Sequence, residues 1–262
     1  MKLENLGTII EEQGFFLLKN VINKKYINNV KKDMIKVLGQ YCHVDKNKSI
    51  DKILDQSFNL ITKKSPQLRS NIYKCMANLQ SIYNLSSLKI IKKIMNKIKI
   101  QTPRNLGSSI FAMEPNSKKY LILHHQDIRN DLASNQAINI WFPLTAGPNI
   151  GGVAIYPGSH RNGPIKHYID KKHGKINLKK KLLKNLNKVE KIINFQIGDL
   201  LLFHPYLVHY SIINKGKKIR WTTAMCIDNP SNSPHLEKSF MPYVKTNFIT
   251  NLTNEQLNRK YN

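Results

Sequence analysis

The chain has 262 residues and a formal net charge of +26, from 42 Lys and Arg against 16 Asp and Glu. Its 41% hydrophobic and 8% aromatic residues are typical of a folded globular domain and exclude a disordered polyelectrolyte. The longest apolar runs are strand-sized, well below the roughly 20 residues of a membrane span, so no membrane helix is expected.

The first hundred residues predict one short strand followed by amphipathic helices. Residues 14–18 form an apolar run bounded by polar residues, which is typical of a strand. From residue 24 to residue 42, apolar side chains recur at helical spacing. Three more helices are indicated by the apolar sets Ile50, Ile53, Leu54, Phe58, Ile61; Leu68, Ile72, Met76, Leu79, Ile82; and Leu88, Ile91, Ile94, Met95. We expect these helices to pack with their basic faces in solvent.

After Pro103 the pattern changes to short strands separated by turns. The candidate strands are residues 108–113, 120–125, 137–143, 152–156, 189–195, 200–203, 209–213 and 220–226. Turn signals such as Pro157-Gly158-Ser159 lie between them. Many short strands with this punctuation favour a sandwich or a barrel-like roll.

A basic segment interrupts the strands. Residues 163–188 include eight lysines between positions 171 and 188, and we interpret them as a surface excursion, a lid-like insert. The chain from residue 229 is polar, with a short helix predicted at residues 254–261. The sequence as a whole predicts a single α+β domain over residues 1–262. Its helix-rich part covers residues 20–100 and its β roll residues 105–228.

The positive charge is carried by 36 lysines and only 6 arginines. Surfaces that read nucleic acid favour Arg, whose planar guanidinium pairs bidentately with phosphate and guanine. A chain rich in Lys, Asn and Ile is instead typical of an AT-rich genome. We therefore expect no specific nucleic-acid partner, although the basic surface can attract anions.

The cysteines indicate a reducing compartment. Cys42, Cys75 and Cys226 are scattered, odd in number and without a CxxC pair, which favours free thiols over a disulfide framework. The first 16 residues contain acidic side chains where a signal peptide would be apolar. We expect an unprocessed, cytoplasmic protein.

The segment from His124 to Asp127 contains an HxD pattern. In extended backbone, residues two apart point to the same side, so His125 and Asp127 converge while His124 and Gln126 point away. An imidazole and a carboxylate are two thirds of the 2-His-1-carboxylate triad, which holds Fe(II) and leaves coordination positions open. HxD alone also occurs by chance, and a surface or hydrogen-bonded histidine is the alternative.

A second informative stretch is residues 198–211. A Gly-Asp turn leads there into an apolar strand, and the next strand begins with His209. Arg220 follows eleven residues later at the head of another apolar strand, where a cation is unfavourable unless it meets an anion. A dicarboxylate ligand held bidentately would provide one. A structural salt bridge with Asp199 or Asp228 is the alternative.

In these features the chain resembles the phytanoyl-CoA dioxygenase family of Fe(II)- and 2-oxoglutarate-dependent oxygenases. The resemblance extends from Gly14 to Met225, with motifs in the family's order and at close to its spacing. The motifs are His125-Gln126-Asp127, Trp141, Gly151-Gly152, Pro157-Gly158-Ser159-His160, Gly198-Asp199, His209-Tyr210-Ser211, Asn214 and Arg220. The resemblance implies a double-stranded β-helix (jelly-roll) core with N-terminal flanking helices.

The resemblance also implies roles for individual residues. The implied iron ligands are His125, Asp127 and His209, with no further catalytic residue. Arg220 would hold the distal carboxylate of 2-oxoglutarate. Trp141 would line the co-substrate pocket, and Thr222 would add a hydroxyl to the same carboxylate.

Two other histidines have to be placed. His204 is the alternative third ligand, but the spacing to Arg220 and the position just before Ser211 favour His209. His160 lies in the Pro-Gly-Ser-His turn, which is mainly architectural in relatives, so we leave it outside the metal shell.

Two acidic residues bear on the chemistry. Halogenating relatives replace the HxD carboxylate with a small residue, so Asp127 indicates hydroxylation or a related oxidation. Glu114 stands where the family often has a basic residue that helps to hold 2-oxoglutarate. The contacts of the 1-carboxylate are therefore left unassigned.

The implied reaction is O2-dependent oxidation of a small-molecule substrate with release of succinate and CO2. The basic surface favours an anionic substrate, without identifying it. The alternatives are a catalytically inactive metal-binding jelly roll and a basic nucleic-acid-binding protein. Succinate formation would exclude the former, and the latter predicts tight binding with a steep salt dependence.

Overall fold

A layer of helices covers one face of an antiparallel sheet, and a smaller sheet packs on its other face. The computed structural model describes residues 3–127, 136–170, 175–178, 183 and 190–232. Within these ranges, every helix is too short or too polar to cross a membrane. The predicted helix at residues 254–261 lies outside them.

The helices of the described residues precede most of the strands. They are α1 (Leu6–Gln13), α2 (Lys24–Leu38), α3 (Ile50–Lys64), α4 (Pro66–Ala77), α5 (Gln80–Ser86) and α6 (Lys89–Lys97). Helix α2 begins where the Asn23 side chain accepts a hydrogen bond from the backbone of Lys25, as N-cap residues do. It buries Ile27, Val30, Met34 and Leu38.

The predicted helices over residues 50–61 and 88–95 are confirmed, and the helix predicted over residues 24–42 is confirmed as far as Leu38, after which the chain turns. The single helix predicted from Leu68 to Ile82 is wrong, because the backbone leaves the helix at Asn78 and is extended at Leu79 (φ −65°, ψ 138°). The apolar spacing continues through this break and conceals it. Helix α1 was not predicted, since eight residues ending at the left-handed Gly14 are too few for a clear period.

The strands of the described residues form three antiparallel sheets. They are β1 (Phe15–Leu18), β2 (Arg104–Met113), β3 (Ala137–Pro143), β4 (Gly152–Ile155), β5 (His167–Asp170), β6 (Lys175–Leu178), β7 (Lys191–Asn194), β8 (Leu200–Phe203), β9 (His209–Ser211) and β10 (Arg220–Asp228). The major sheet has the order β1-β8-β3-β10-β2, the minor sheet β7-β4-β9, and β5 pairs with β6.

Successive side chains along each strand of the major sheet point to opposite faces, and they contribute to two separate hydrophobic cores. On one face, Leu200, Leu202 and Trp221 pack with the helices. On the other, Leu201 and Phe203 pack against the minor sheet. The two facing sheets with flanking helices confirm the predicted α+β jelly-roll class, and the space between the sheets is where inward-facing polar side chains meet.

One predicted strand is wrong. Residues 120–125 are irregular, and only His125 forms a β-bridge, to His209. The run looks like a strand because Leu121, Ile122 and Leu123 are apolar. Its neighbour β9 is three residues long and offers few partners, among them the backbone N–H of Ser211, which donates to the carbonyl of Ile122 at 2.9 Å.

The basic insert is partly built into the fold. Its described part contains the hairpin of β5 and β6, in which His167 and Leu178 are buried. The interpretation of residues 163–188 as a surface excursion is therefore wrong for these two positions. Residues 171–174, 179–182 and 184–188 lie outside the described ranges, and a lid function stays a prediction.

Candidate active site

His125, Asp127 and His209 converge at the mouth of the roll. Their ligand atoms all lie within 4.8 Å of one another, with Nε2 of His125 3.1 Å from Oδ1 of Asp127 and Nε2 of His209 3.6 Å from Oδ2. The backbones of the two histidines exchange hydrogen bonds of 3.0 Å, and the N–H of Asp127 donates to the carbonyl of Pro205 at 2.9 Å. Main-chain bonds therefore fix the relative positions of the three side chains.

The hydrogen bonds of the two imidazoles set their tautomers. Nδ1 of His125 lies 2.8 Å from the carbonyl oxygen of Leu123, and Nδ1 of His209 lies 2.9 Å from that of Leu207. A carbonyl only accepts, so each Nδ1 carries a proton and each Nε2 directs a lone pair towards Asp127. Two such nitrogens and a carboxylate oxygen fit a divalent transition metal such as Fe(II).

The electrostatics of the triad also favour a cation. Burial, helped by the neighbouring His125, lowers the pKa of His209 to about 4. Burial opposes protonation of His125 as well, but the Asp127 carboxylate outweighs it and raises the pKa of His125. The carboxylate thus attracts positive charge to the point where the two Nε2 atoms meet.

Asn139 orients the carboxylate, and sequence reasoning missed it. It lies on β3, is 4% exposed, and its Nδ2 donates to Oδ2 of Asp127 at 2.9 Å. This bond holds the carboxylate with Oδ1 towards His125 and Oδ2 towards His209. The available signal was a lone amide inside the apolar strand Ala137–Pro143, which identifies no partner by itself.

Replacing Asn139 with alanine is expected to weaken metal binding by about 10- to 100-fold, the usual effect of removing a residue that orients a ligand. Isothermal titration with Co(II) measures this directly. Asn229→Ala is the matched control, since Asn229 is a buried amide that bonds with residues 99, 102, 136 and 231. Equal affinities for the two variants would contradict the orienting role.

Arg220 lies between the sheets, and within the described part of the chain its charge meets no acidic side chain. It is 5% exposed, and its Nη1 donates to the carbonyls of Ile212 at 2.7 Å and Ile150 at 3.3 Å. No carboxylate in the described ranges forms an ion pair with it, and burial lowers its pKa to about 10. This side chain requires an anion that the described residues do not supply.

The salt-bridge alternative for Arg220 is wrong. Asp199 pairs with Lys19 at 2.8 Å, and Asp228 pairs with Arg104 at 2.7 Å. Both carboxylates are thereby held by other cations.

Gly151 makes room for the guanidinium. Its φ of +75° favours glycine, and a Cβ at this position would lie 2.7 Å from Nη1 of Arg220.

Thr222 is buried two residues beyond Arg220 on the same side of β10. The ring of Trp141 packs on Phe195, with centroids 4.1 Å apart, in the core between the two sheets. The predicted co-substrate residues thus share the interior of the roll.

A family model described as phytanoyl-CoA dioxygenase matches residues 10–222. The chain belongs to the phytanoyl-CoA dioxygenase family. Membership confirms the resemblance found in the sequence and makes the protein an enzyme of the non-haem iron, 2-oxoglutarate-dependent oxygenases.

Similar proteins agree with this assignment. The 1-deoxypentalenic acid 11-beta-hydroxylase of Streptomyces exfoliatus is 24% identical over 220 residues, which cover 80% of this chain and 75% of that protein. The structure of EctD from S. alaskensis with 2-oxoglutarate and 5-hydroxyectoine has a TM-score of 0.59 at 12% identity, covering 87% of this chain and 76% of that one. The epimerase SnoN, in complex with Fe3+, alpha ketoglutarate and nogalamycin RO, has a TM-score of 0.60 at 14% identity, covering 87% and 83%. Both structures share the fold.

The alternative ligand His204 and the motif residue His160 lie apart from the triad. Nδ1 of His204 accepts a hydrogen bond from the backbone of Tyr206 at 3.0 Å. Nε2 of His160 lies 3.0 Å from the carbonyl oxygen of Glu11. In the part of the chain that the structure describes, the residues grouped closely enough to hold a metal do not include either of them.

Glu114, the departure from the family pattern, belongs to the helical layer. Its carboxylate pairs with Arg69 of α4, which also donates to the hydroxyl of Tyr73 at 2.6 Å. The Arg69 guanidinium lies 3.6 Å from the ring centroid of Tyr120. Glu114 therefore ties the loop before the HxD motif to the helices.

Proposed function

We propose that this family member hydroxylates a small, anionic molecule with Fe(II), 2-oxoglutarate and O2, releasing succinate and CO2. The proposal is supported above all by the convergence of Nε2 of His125, Nε2 of His209 and Asp127 in the same roll as a buried Arg220. Among the residues that the structure describes, no carboxylate pairs with Arg220. Bound iron would supply O2 activation coupled to the decarboxylation of 2-oxoglutarate.

The three ligands would hold iron on one side and leave the other open. The N–H of each Nδ1, held by a main-chain carbonyl, keeps the Nε2 lone pairs aimed at the ion. Asn139 keeps Asp127 from turning. The Asp127 carboxylate would fill the coordination position that is open to halide in halogenating relatives. Its presence therefore favours hydroxylation.

Arg220 would bind the distal carboxylate of 2-oxoglutarate. Its guanidinium is held in place by two main-chain carbonyls, so little side-chain freedom remains to be lost on binding. The hydroxyl of Thr222 would donate to the same carboxylate, and Trp141 would pack against the carbon chain. An anion in this position neutralises a charge that burial otherwise disfavours.

An anionic substrate is supported by the charge around the site. Lys166 and Arg161 are exposed on the segment that follows His160, and the chain carries 26 net positive charges. The Streptomyces relatives are named for the hydroxylation of an acid. Exposed cations raise the local concentration of anionic substrates.

We also propose that residues 163–188 act as a lid. Long inserts in compact domains are often functional, and a lid keeps water from the reacting groups. Deletion of the insert is expected to raise the KM for substrate and the proportion of 2-oxoglutarate consumed without product. Unchanged values for both would refute a lid.

We infer a cytoplasmic location from the thiols. Within the described residues, Cys42, Cys75 and Cys226 form no disulfide, and unbridged cysteines are usual in reducing compartments.

The proposed function is tested by anaerobic titration of the protein with Fe(II) and 2-oxoglutarate. A weak visible charge-transfer band is expected when both are bound, and admission of O2 is expected to give succinate. A correctly folded protein that shows no band would overturn the proposal. A band without succinate would identify the catalytically inactive metal-binding alternative.

A further inference from the structure

Gln126, between the two ligands of the HxD motif, points away from the metal centre and is 4% exposed. Its Nε2 donates to the carbonyls of Gly163 at 2.9 Å and Tyr206 at 2.7 Å. Its Oε1 accepts from the backbone N–H of Ile165 at 2.7 Å. Both amide protons and the amide oxygen are therefore used.

The backbone of Gln126 and of His124 also forms hydrogen bonds, with residues of the β5–β6 hairpin. The N–H of Gln126 donates to Nε2 of His167 at 2.8 Å, and His167 is 3% exposed. The carbonyl of His124 accepts from the N–H of Leu178 at 3.0 Å. Both strands of the β5–β6 hairpin thus bond to residues next to the ligands His125 and Asp127.

These bonds make residues 163–167, here called the entry segment, a fixed wall beside the ligand pair. If the entry segment moved away from Gln126, the hydrogen bonds of Gly163, Ile165 and His167 with Gln126 would all break. Leaving any one of these buried polar groups without a partner is unfavourable, so the three bonds are expected to break or form together. The same bonds restrain the backbone between His125 and Asp127.

We propose that Gln126 is a positioning residue that couples the entry segment to the metal centre. An ion held by His125 and Asp127 fixes the backbone on both sides of Gln126 and so favours the closed entry segment. By thermodynamic reciprocity, a closed entry segment raises the affinity for the ion by the same factor. The proposal rests on the proposed metal centre, and it assigns to the middle residue of the motif a role distinct from ligation.

Lys166 provides a direct probe of this coupling. It is exposed and lies between Ile165 and His167, which both bond to Gln126. Trypsin cleaves after lysine, and cleavage within folded structure requires local opening. The rate of cutting after Lys166 therefore measures how often the entry segment opens.

The experiment compares this rate with saturating Ni(II), a redox-inert stand-in for iron, and with a chelator. In the wild type, Ni(II) is expected to slow cleavage after Lys166 by roughly 5- to 150-fold, the usual range of coupling between sites. In Gln126→Met, which keeps the side-chain length without its hydrogen bonds, cleavage is expected to be faster and nearly independent of Ni(II). Gln126→Glu keeps the acceptor for Ile165 and is the second variant if the first does not fold.

Thr145→Val is the matched control. It also removes two buried hydrogen bonds without changing size, those with Ile219 and Trp221, but they lie away from the entry segment. Its protection by Ni(II) is expected to equal that of the wild type even if its melting temperature falls.

Calorimetry of Ni(II) binding distinguishes a failure of the proposed metal centre from a failure of the coupling through Gln126. Wild-type protein that does not bind Ni(II) would refute the metal centre itself. Wild-type protein that binds Ni(II) without protection after Lys166, or a Gln126 variant protected as strongly as the wild type, would overturn the coupling alone.

Discussion

Replacing His209 with alanine is expected to abolish turnover and to weaken metal binding by more than about 100-fold, beyond the effect of losing an orienting partner. The imidazole supplies one of only three protein donors, and its Nε2 is already aimed at Asp127 by the bond from Nδ1 to Leu207. The backbone bonds that pair residue 209 with His125 survive the change. Anaerobic Fe(II) titration and succinate formation give the two readouts.

His204→Ala is the control for this prediction. His204 is the other histidine of the same stretch, and its Nδ1 accepts from the backbone of Tyr206. Its loss is expected to cost about 1 kcal/mol of stability and to leave the affinity for Fe(II) unchanged. Loss of metal in His204→Ala with retention in His209→Ala would show that the ligand set is wrongly assigned.

The parts of this structure that the sequence predicts well depend on local patterns. The strand Leu200–Phe203 is an uninterrupted apolar run, the strand Ala137–Pro143 is apolar except for Asn139, and the predicted bounds of both are the observed ones. The pair His125 and Asp127 follows from the alternation of extended backbone. Their contact with His209 does not follow from spacing, and the resemblance to a family supplied it.

What sequence reasoning missed depends on contacts between distant residues. Gln126 bonds with residues 163, 165 and 206, and nothing in the HxD pattern indicates those partners. Asn139 reaches Asp127 across twelve residues because β3 lies beside the site. The false strand at residues 120–125 has the same origin, since an apolar run is a local feature but strand pairing requires a partner strand of sufficient length.

Replacing Arg220 with methionine is expected to have opposite effects on ligand binding and on stability. Loss of a buried charge partner costs about 2–5 kcal/mol of affinity, or roughly 30- to 5,000-fold in the Kd of 2-oxoglutarate. The 2-oxoglutarate-free variant is nevertheless expected to melt at the same temperature as the wild type or higher, because it lacks a buried cation that no acidic side chain of the described ranges pairs with.

The ionisation of Arg220 gives the sign of this stability effect. Burial lowers its pKa to about 10, so the folded state binds the proton less tightly than the unfolded chain does. The charged side chain therefore destabilises the ligand-free protein at pH values well below 10, and this penalty is relieved as the pH rises through 10. The stabilising effect of Arg220→Met should thus be fully present near neutral pH.

Arg104→Met makes the same chemical change at a paired arginine and should give the opposite pattern. Arg104 holds both carboxylate oxygens of Asp228, at 3.0 and 2.7 Å, and Asp228 is fully buried. Removing this guanidinium from a buried carboxylate is expected to destabilise the protein by about 3–5 kcal/mol and to leave the Kd of 2-oxoglutarate unchanged. Thermal melts with and without 2-oxoglutarate test both variants, since a bound ligand raises the melting temperature. A large loss of stability in Arg220→Met would mean that Arg220 has a structural ion pair after all.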